Sequence, residues 1–462
     1  VAVVHPTQDD PVALALSEAV GGPRGGHAGG HRWWTPVRLL LVLTALTFAL
    51  GMVQKSGCFA DTWEDGTARY SQMCYSDLPY LYTGRGFAEL AWPFSDDPQV
   101  RARYEVMEYP VGIAYWAWGT AWVTHWINGS PPLDPRYEAP VDQLWGMPAV
   151  HHEIGLFVVV NAVGFAALAL LATWLLAGVR RRRPWDAAAF AMSPALLFAG
   201  LVNWDLLAVV CVAGALWTWS RGRPGWTGVL IGVGAAVKLY PLFLLGAVAV
   251  LAWRSRRWSG LLRAVTGAGA AWVLVNLPAY VSGPDQWKVF WSFNSSRAAD
   301  LGSVWLVMQD VFGTTFAVDT INTWSWLFFA AWCAAVLVLG MTARRAPTLA
   351  ELGLVIVAGF LLVNKVYSPQ YVLWLLPLAV LARPRWRDQL IWQGAELVYF
   401  AAVWWYLATF LNSAAGGSHP FYTLAVLVRI LGELFLVALV VLSWFRRARA
   451  QEIVTESNVV AV

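Results

Sequence analysis

Residues 154–179 read IGLFVVVNAVGFAALALLATWLLAGV, and residues 180–183 read RRRR. An uncharged run of that length can cross a hydrocarbon core about 30 Å thick. The cations that close it resist translocation and mark its end as cytoplasmic. Apolar runs and short basic clusters then alternate: Arg221 and Arg223, Arg254 to Arg257, Arg344 and Arg345, Arg383 to Arg387, and Arg446 to Arg449. Composition agrees, with 58% hydrophobic and 13% charged residues, where soluble domains carry roughly 45–50% and 25%. The chain reads as an all-α polytopic membrane protein. Its net charge of +4 is scattered between apolar runs, so a nucleic-acid partner is not expected and membrane lipid is.

Placing every basic cluster on the cytoplasmic side fixes a topology. Counting Val111 to Trp126 as a span would invert every later cluster, so this stretch, with its regular Trp residues, reads as an amphipathic or re-entrant helix at the outer interface. Twelve spans satisfy the clusters: 36–53, 154–179, 186–202, 204–220, 225–240, 241–253, 259–280, 322–343, 347–364, 368–382, 389–411 and 421–445. The domain reading is a glycine-rich flexible cytoplasmic tail over 1–35, one membrane-embedded domain over 36–449 with a large first outer loop at 54–153, and a cytoplasmic tail over 450–462. The expected location is the plasma membrane, with the working face extracytoplasmic.

Three hairpins, Asp186–Ser220, Gly225–Trp253 and Thr348–Ala382, are too short for two straight spans of about 20 residues each. Their apices, Asn203-Trp204-Asp205, Lys238-Leu239-Tyr240-Pro241 and Asn364 to Tyr371, should stop below the outer surface. Polar groups at that depth need protein or a polar cavity around them. The bland reading of Lys238 and Lys365 is that each snorkels to the interface. Three such apices beside one acidic loop favour a shared, outward-facing site. Residues 225–253 read either as two short helices or as one long tilted helix.

The first outer loop contains Cys74-Tyr-Ser-Asp77-Leu-Pro-Tyr80. Asp77 sits among Tyr75, Leu78, Pro79 and Tyr80, which can keep it partly dry and raise its pKa, as suits a general base. Glu108, beside Tyr109-Pro110, is the second candidate. Asp61, Glu64 and Asp65 read as solvated loop charge. His151-His152-Glu153 lacks the i, i+4 spacing of a helical metal pair and reads as a loop or helix start, so no metal is expected. Cys58 and Cys74 both fall outside, where a disulfide stapling the loop is expected. Cys211 and Cys333 read as apolar filler. Aromatic faces in 287–305 and 404–406 could stack on a ligand or form an interfacial belt. No glycine-rich phosphate loop is present.

Asp77-Leu-Pro-Tyr-Leu-Tyr, Glu108-Tyr-Pro-Val-Gly, Lys238-Leu-Tyr-Pro241 and Ser368-Pro-Gln-Tyr-Val-Leu-Trp374 occur in that order. Together they resemble the GT-C membrane glycosyltransferases of family 87, which include polyprenyl-phosphate-mannose-dependent mannosyltransferases. The likeness runs from about Pro36 to Arg449, with Tyr109-Pro110-Val111 standing where the family often has Tyr-Pro-Pro. It implies an inverting transfer of a sugar, mannose by the resemblance, from a polyprenyl-phosphate donor to a hydroxyl of a glycolipid or glycan acceptor on the outer face. Asp77 then matches the family's first-loop catalytic Asp. Lys238, Lys365 and Arg297 are candidate partners of the donor phosphate, and Tyr80, Tyr109, Asp205, Tyr240, Tyr367 and Tyr371 candidate pocket residues. No cofactor is expected, because the lipid-linked sugar is the substrate. The rival reading is a transporter or flippase of lipid-linked saccharides, against which the long acidic first loop argues.

Overall fold

The computed structural model describes residues 10–13, 15, 33–411 and 419–446, and every regular element among them is helical. Most of the two expected tails therefore lies outside the described residues. Asp10, from the N-terminal one, accepts a hydrogen bond from the Trp386 backbone N–H at 2.9 Å. The helices of eleven residues or more are α1 Pro36–Gln54, α2 Val111–Ile127, α3 Pro148–Val179, α4 Leu206–Ser220, α5 Pro224–Val237, α6 Leu244–Ser255, α7 Trp258–Ser282, α8 Pro284–Ser296, α9 Val318–Thr342, α10 Leu349–Val363, α11 Val372–Ala382, α12 Trp386–Leu407 and α13 Pro420–Phe445. Five of them, α1, α3, α7, α9 and α13, are long and apolar enough to cross a membrane.

The shorter apolar helices form hairpins. The helices α4, α5, α6, α10 and α11 have 11–15 residues, about 17–22 Å at 1.5 Å per residue. Their ends gather at two poles, each marked by a cavity. Val179, Ser220, Pro224, Arg254, Leu349 and Leu381 line one, while Val202, Lys238, Val363 and Trp374 line the other. All three short hairpins thus have their bases at an arginine-rich end and their tips at the opposite end, with the long loop. Between α5 and α6 the chain breaks at Lys238, whose backbone is extended, so residues 225–253 form two helices. Pro241 cannot supply an N–H to continue the first helix, and a 3-10 turn over Tyr240–Phe243 leads into α6.

The expected span 186–202 is not one helix. It is a 3-10 turn at Pro184–Ala187, then short helices Ala188–Ala191 and Pro194–Ala199. Pro194 ends helical continuity by lacking an N–H, and the Ser193 hydroxyl starts the next piece by accepting from the Leu196 N–H at 3.1 Å. Helix α2 runs antiparallel along the first half of α3. Trp116 bonds Asn161 at 3.0 Å, and His125 and Asn128 reach Glu153. These bonds hold α2 against the half of α3 that follows the first loop.

The tightest helix pair is α5 with α7. A Cβ on Gly228 would lie 2.0 Å from the Ala264 carbonyl oxygen, and one on Gly232 2.2 Å from that of Ala268. Small residues four apart let two backbones touch, as in apolar helix pairs held by dispersion and backbone contact. This contact fixes α5, and with it Lys238 at its end.

Candidate active site

The loop 54–153 is pinned before any catalytic group is placed. Cys58 and Cys74 are joined by a disulfide. Arg136 and Glu153 form a buried two-point pair at 2.6 and 2.9 Å, and Tyr82 donates to the same carboxylate at 2.8 Å. Glu153 thereby ties the loop to the first turns of α3. Its neighbours reach elsewhere: His151 lies 3.4 Å from Glu64, and His152 bonds Asn128. Among the described residues no three His, Cys, Asp or Glu side chains are grouped to hold a metal ion.

Asp77 stands just before the short helix Leu78–Gly84, where an Asp ordinarily caps the helix with its side chain. Here it makes no such bond. Pro79 has already removed one of the donors a cap would serve. The carboxylate accepts instead from Tyr109 Oη at 3.1 Å and from Asn203 Nδ2 at 2.5 Å. Asn203 also donates to Tyr109 Oη at 2.7 Å. The backbone closes the join, with Asp77 N–H to Val202 C=O at 2.9 Å. Burial pushes the Asp77 carboxyl above the ordinary carboxylate range, opposed by hydrogen bonds from Tyr75, Asn203 and Tyr109 and by the charge of Lys238. Lys55, buried with its ammonium 2.9 Å from the Tyr75 carbonyl oxygen, is lowered to about 7 by burial, with Asp77 pulling the other way.

Asp77 lines a cavity of about 730 Å³ together with Glu108, Tyr109 and Lys238. Glu108 is held by Arg85 at 2.9 and 3.3 Å, so its charge is matched where that of Asp77 is only partly so. Lys238 lies 3.6 Å from Asp205 and over the Tyr109 ring at 4.9 Å. Trp374 donates to Asp205 at 2.6 Å and stacks between Tyr240 and Tyr371, with centroids at 4.6 and 3.9 Å.

Another part of the cavity wall carries Arg297, Asn322, Asn364 and Lys365, beside Phe293, Trp326, Phe329 and Phe360. Lys365 donates to Asn322 Oδ1 at 2.6 Å, and burial and the charge of Arg297 lower its pKa. Arg297 pairs with Asp300 at 2.5 Å. Residues 300–301 and 365–367 are laced together, Asp300 N–H to Lys365 C=O and Tyr367 N–H to Leu301 C=O, both at 2.8 Å. The cavity thus brings Asp77, Glu108, Lys238, Lys365, Arg297, Tyr109, Tyr240 and Tyr371 together. Asp205 stands behind it, joined through Lys238. Tyr80 and Tyr367 are elsewhere. The Tyr80 ring stacks between Tyr75 and Trp145, and the Tyr367 hydroxyl is taken by Glu396 at 2.8 Å.

Residues 147–364 match the model of glycosyltransferase family 87. The match supports a glycosyltransferase similar to family 87. No match to a curated protein was found. The matched stretch holds Asn203, Asp205, Lys238 and Arg297, while Asp77 and Glu108 precede it and Lys365 follows. Sequence reasoning missed Asn203 as a partner of Asp77, although it placed that residue at an apex. It also missed Asn161, which accepts from the indoles of Trp116 and Trp204 at 3.0 Å each. An amide in the middle of the apolar run 154–179 was the available signal.

Proposed function

We propose that the protein moves a sugar, mannose being the leading candidate, from a polyprenyl-phosphate donor to a hydroxyl of a lipid- or glycan-linked acceptor on the extracytoplasmic face of the plasma membrane. The observation that carries this reading is the single cavity shared by Asp77 and the cation pair Arg297 and Lys365. The transfer is a single displacement. The acceptor oxygen attacks the anomeric carbon while Asp77 takes its proton, the bond from that carbon to the phosphate oxygen breaks, and the phosphate leaves with the electron pair. Attack opposite the leaving group inverts the anomeric carbon.

A departing phosphate needs cations more than a proton donor. The pKa of Lys365 is depressed first by burial and then by the charge of Arg297, and an anion placed beside Lys365 would offset both. Lys238 is the third cation on the wall. The flanking Phe293, Trp326, Phe329 and Phe360 suit the polyprenyl chain. The match to a transferase family over residues 147–364 favours this reading over a lipid-saccharide carrier. The test is initial transfer rate with the purified full chain, polyprenyl-phosphate mannose and a panel of glycolipid acceptors. Movement of the intact donor across the bilayer without transfer would overturn it.

A further inference from the structure

At the arginine end a second cavity, of about 870 Å³, opens between the ends of α3, α4 and α6 and the starts of α5, α7 and α10. It lies at the pole opposite the catalytic cavity. Four arginines line it, Arg180, Arg254, Arg257 and Arg263, and no acidic residue does. Two are committed. Arg254 donates to the carbonyls of Gly340, Met341 and Ala343 at 2.7–2.9 Å, and Arg180 to Asp186 and the Leu381 carbonyl. Arg257 and Arg263 make no ion pair or side-chain hydrogen bond among the described residues, and both are exposed. Asp186 and Glu351, on adjoining segments, are already paired with Arg180, Arg183 and Arg345.

The rest of the wall is mainly apolar, with Leu216, Trp219, Leu251 and Leu381 prominent. Trp226, Trp253 and Trp258, which belong to the helix ends around it, are 63%, 53% and 51% exposed. Exposed indoles at helix ends mark the headgroup level of a bilayer. Basic pockets between helices at that level suit lipid phosphates. A soluble anion would use the cations and leave the apolar wall unfilled.

We propose that this cavity binds an anionic phospholipid, its phosphate against Arg257 and Arg263 and the upper part of its acyl chains along the leucine and tryptophan wall. The site is separate from the catalytic cavity and does not rest on the reading of the transfer reaction.

The test uses the full chain in detergent with phosphatidylglycerol or phosphatidylcholine of matched acyl chains, reading lipid retained by native mass spectrometry and the thermal midpoint. Phosphatidylglycerol should be retained and raise the midpoint, and phosphatidylcholine should do neither. R257Q/R263Q should weaken retention at least tenfold, whereas R257K/R263K should keep most of it. R181Q/R182Q removes the same charge from exposed positions outside the cavity and should leave retention unchanged. Equal retention of the two lipids, wild-type retention by R257Q/R263Q, or equal loss in R181Q/R182Q would each overturn the site. Stabilisation by inorganic phosphate alone as large as that by phosphatidylglycerol would overturn the lipid as its occupant.

Discussion

Arg429, inside α13, donates from Nη2 to the carbonyl oxygen of Gly302 at 2.9 Å. The Gly302 N–H donates to Tyr422 Oη at 2.9 Å, and Tyr399 Oη to the Tyr367 carbonyl at 2.5 Å. Helices α12 and α13 thereby set the two laced segments that carry Arg297 and Lys365. Gly302 has φ +73°, and a Cβ there would lie 2.2 Å from Tyr399 Oη. Gly302→Ala should strain the backbone by about 1–3 kcal/mol and raise the donor KM severalfold or more. Tyr422→Phe removes one acceptor and should act in the same direction more mildly, with kcat nearly unchanged. Steady-state kinetics at saturating acceptor would show this, and an effect confined to kcat would contradict a positioning role.

Lys238 and Asp205 are a buried pair, and Asp205 Oδ2 has no hydrogen-bond partner among the described residues. Removing one member of such a pair costs about 3–5 kcal/mol, because the other charge is stranded. Lys238→Met should therefore lower the thermal midpoint sharply, and Lys238→Met combined with Asp205→Asn should restore much of it. Comparing midpoints for the two single variants and the double one gives the coupling. Additive losses would mean that the pair is not a unit.

Gly228 and Gly232 meet backbone oxygens of α7, which cannot move aside as a flexible side chain can. Gly228→Leu should cost more than the roughly 1–3 kcal/mol typical of overpacking a core. Gly260→Leu is the control, since a Cβ at Gly260 meets nothing within 4 Å. Thermal midpoints in nanodiscs check the contrast, and equal effects would remove the close contact from the account.

The poles of the molecule were legible because charge and span length are one-dimensional signals. Arginine clusters marked one end, and hairpins too short to cross marked cavity-forming tips at the other. The break at 186–202 was not legible as such, because after Asp186 the run is apolar apart from Ser193, and only the Ser193-Pro194 pair signals it. The placement of Tyr367 was missed for a different reason. Its motif neighbour Tyr371 lines the cavity, whereas Tyr367 serves a buried group formed by Glu396, Arg429 and Glu433. Those three residues come from two helices brought together only by tertiary packing.

Lys365 is bonded to Asn322 Oδ1 and to the Ser295 carbonyl, neutral partners that leave its charge unmatched. Lys365→Met should lose a charged hydrogen bond of roughly 1.5–3 kcal/mol to the donor phosphate, about tenfold to a hundredfold in Kd. Arg297→Gln should weaken the same step, and acceptor affinity should change little. Titration with polyprenyl phosphate measures it directly. Unchanged affinity in both variants would return these side chains to interfacial roles.

Asp77→Asn isolates the proton transfer. The amide is nearly isosteric, and its oxygen can still accept from Asn203 and Tyr109, yet it cannot take the acceptor proton near neutral pH. A positioned general base contributes roughly 10²–10⁴-fold, so the transfer rate should fall at least a hundredfold, mainly in kcat. Glu108→Gln should fall less, because its carboxylate is already bound by Arg85. The wild-type rate should rise with pH through a midpoint above that of an ordinary Asp, since burial raises the Asp77 pKa. The same shift fixes the sign of the stability effect. A folded-state pKa above the unfolded value means that the native state holds the proton more tightly, so stability falls as pH rises through that window. Asp77→Asn removes this loss and should melt at or above the wild-type temperature at neutral pH. Initial rates, a pH profile and melting curves on the same preparations test all three statements, and a well-folded Asp77→Asn variant with near-normal turnover would transfer the role of base to Glu108.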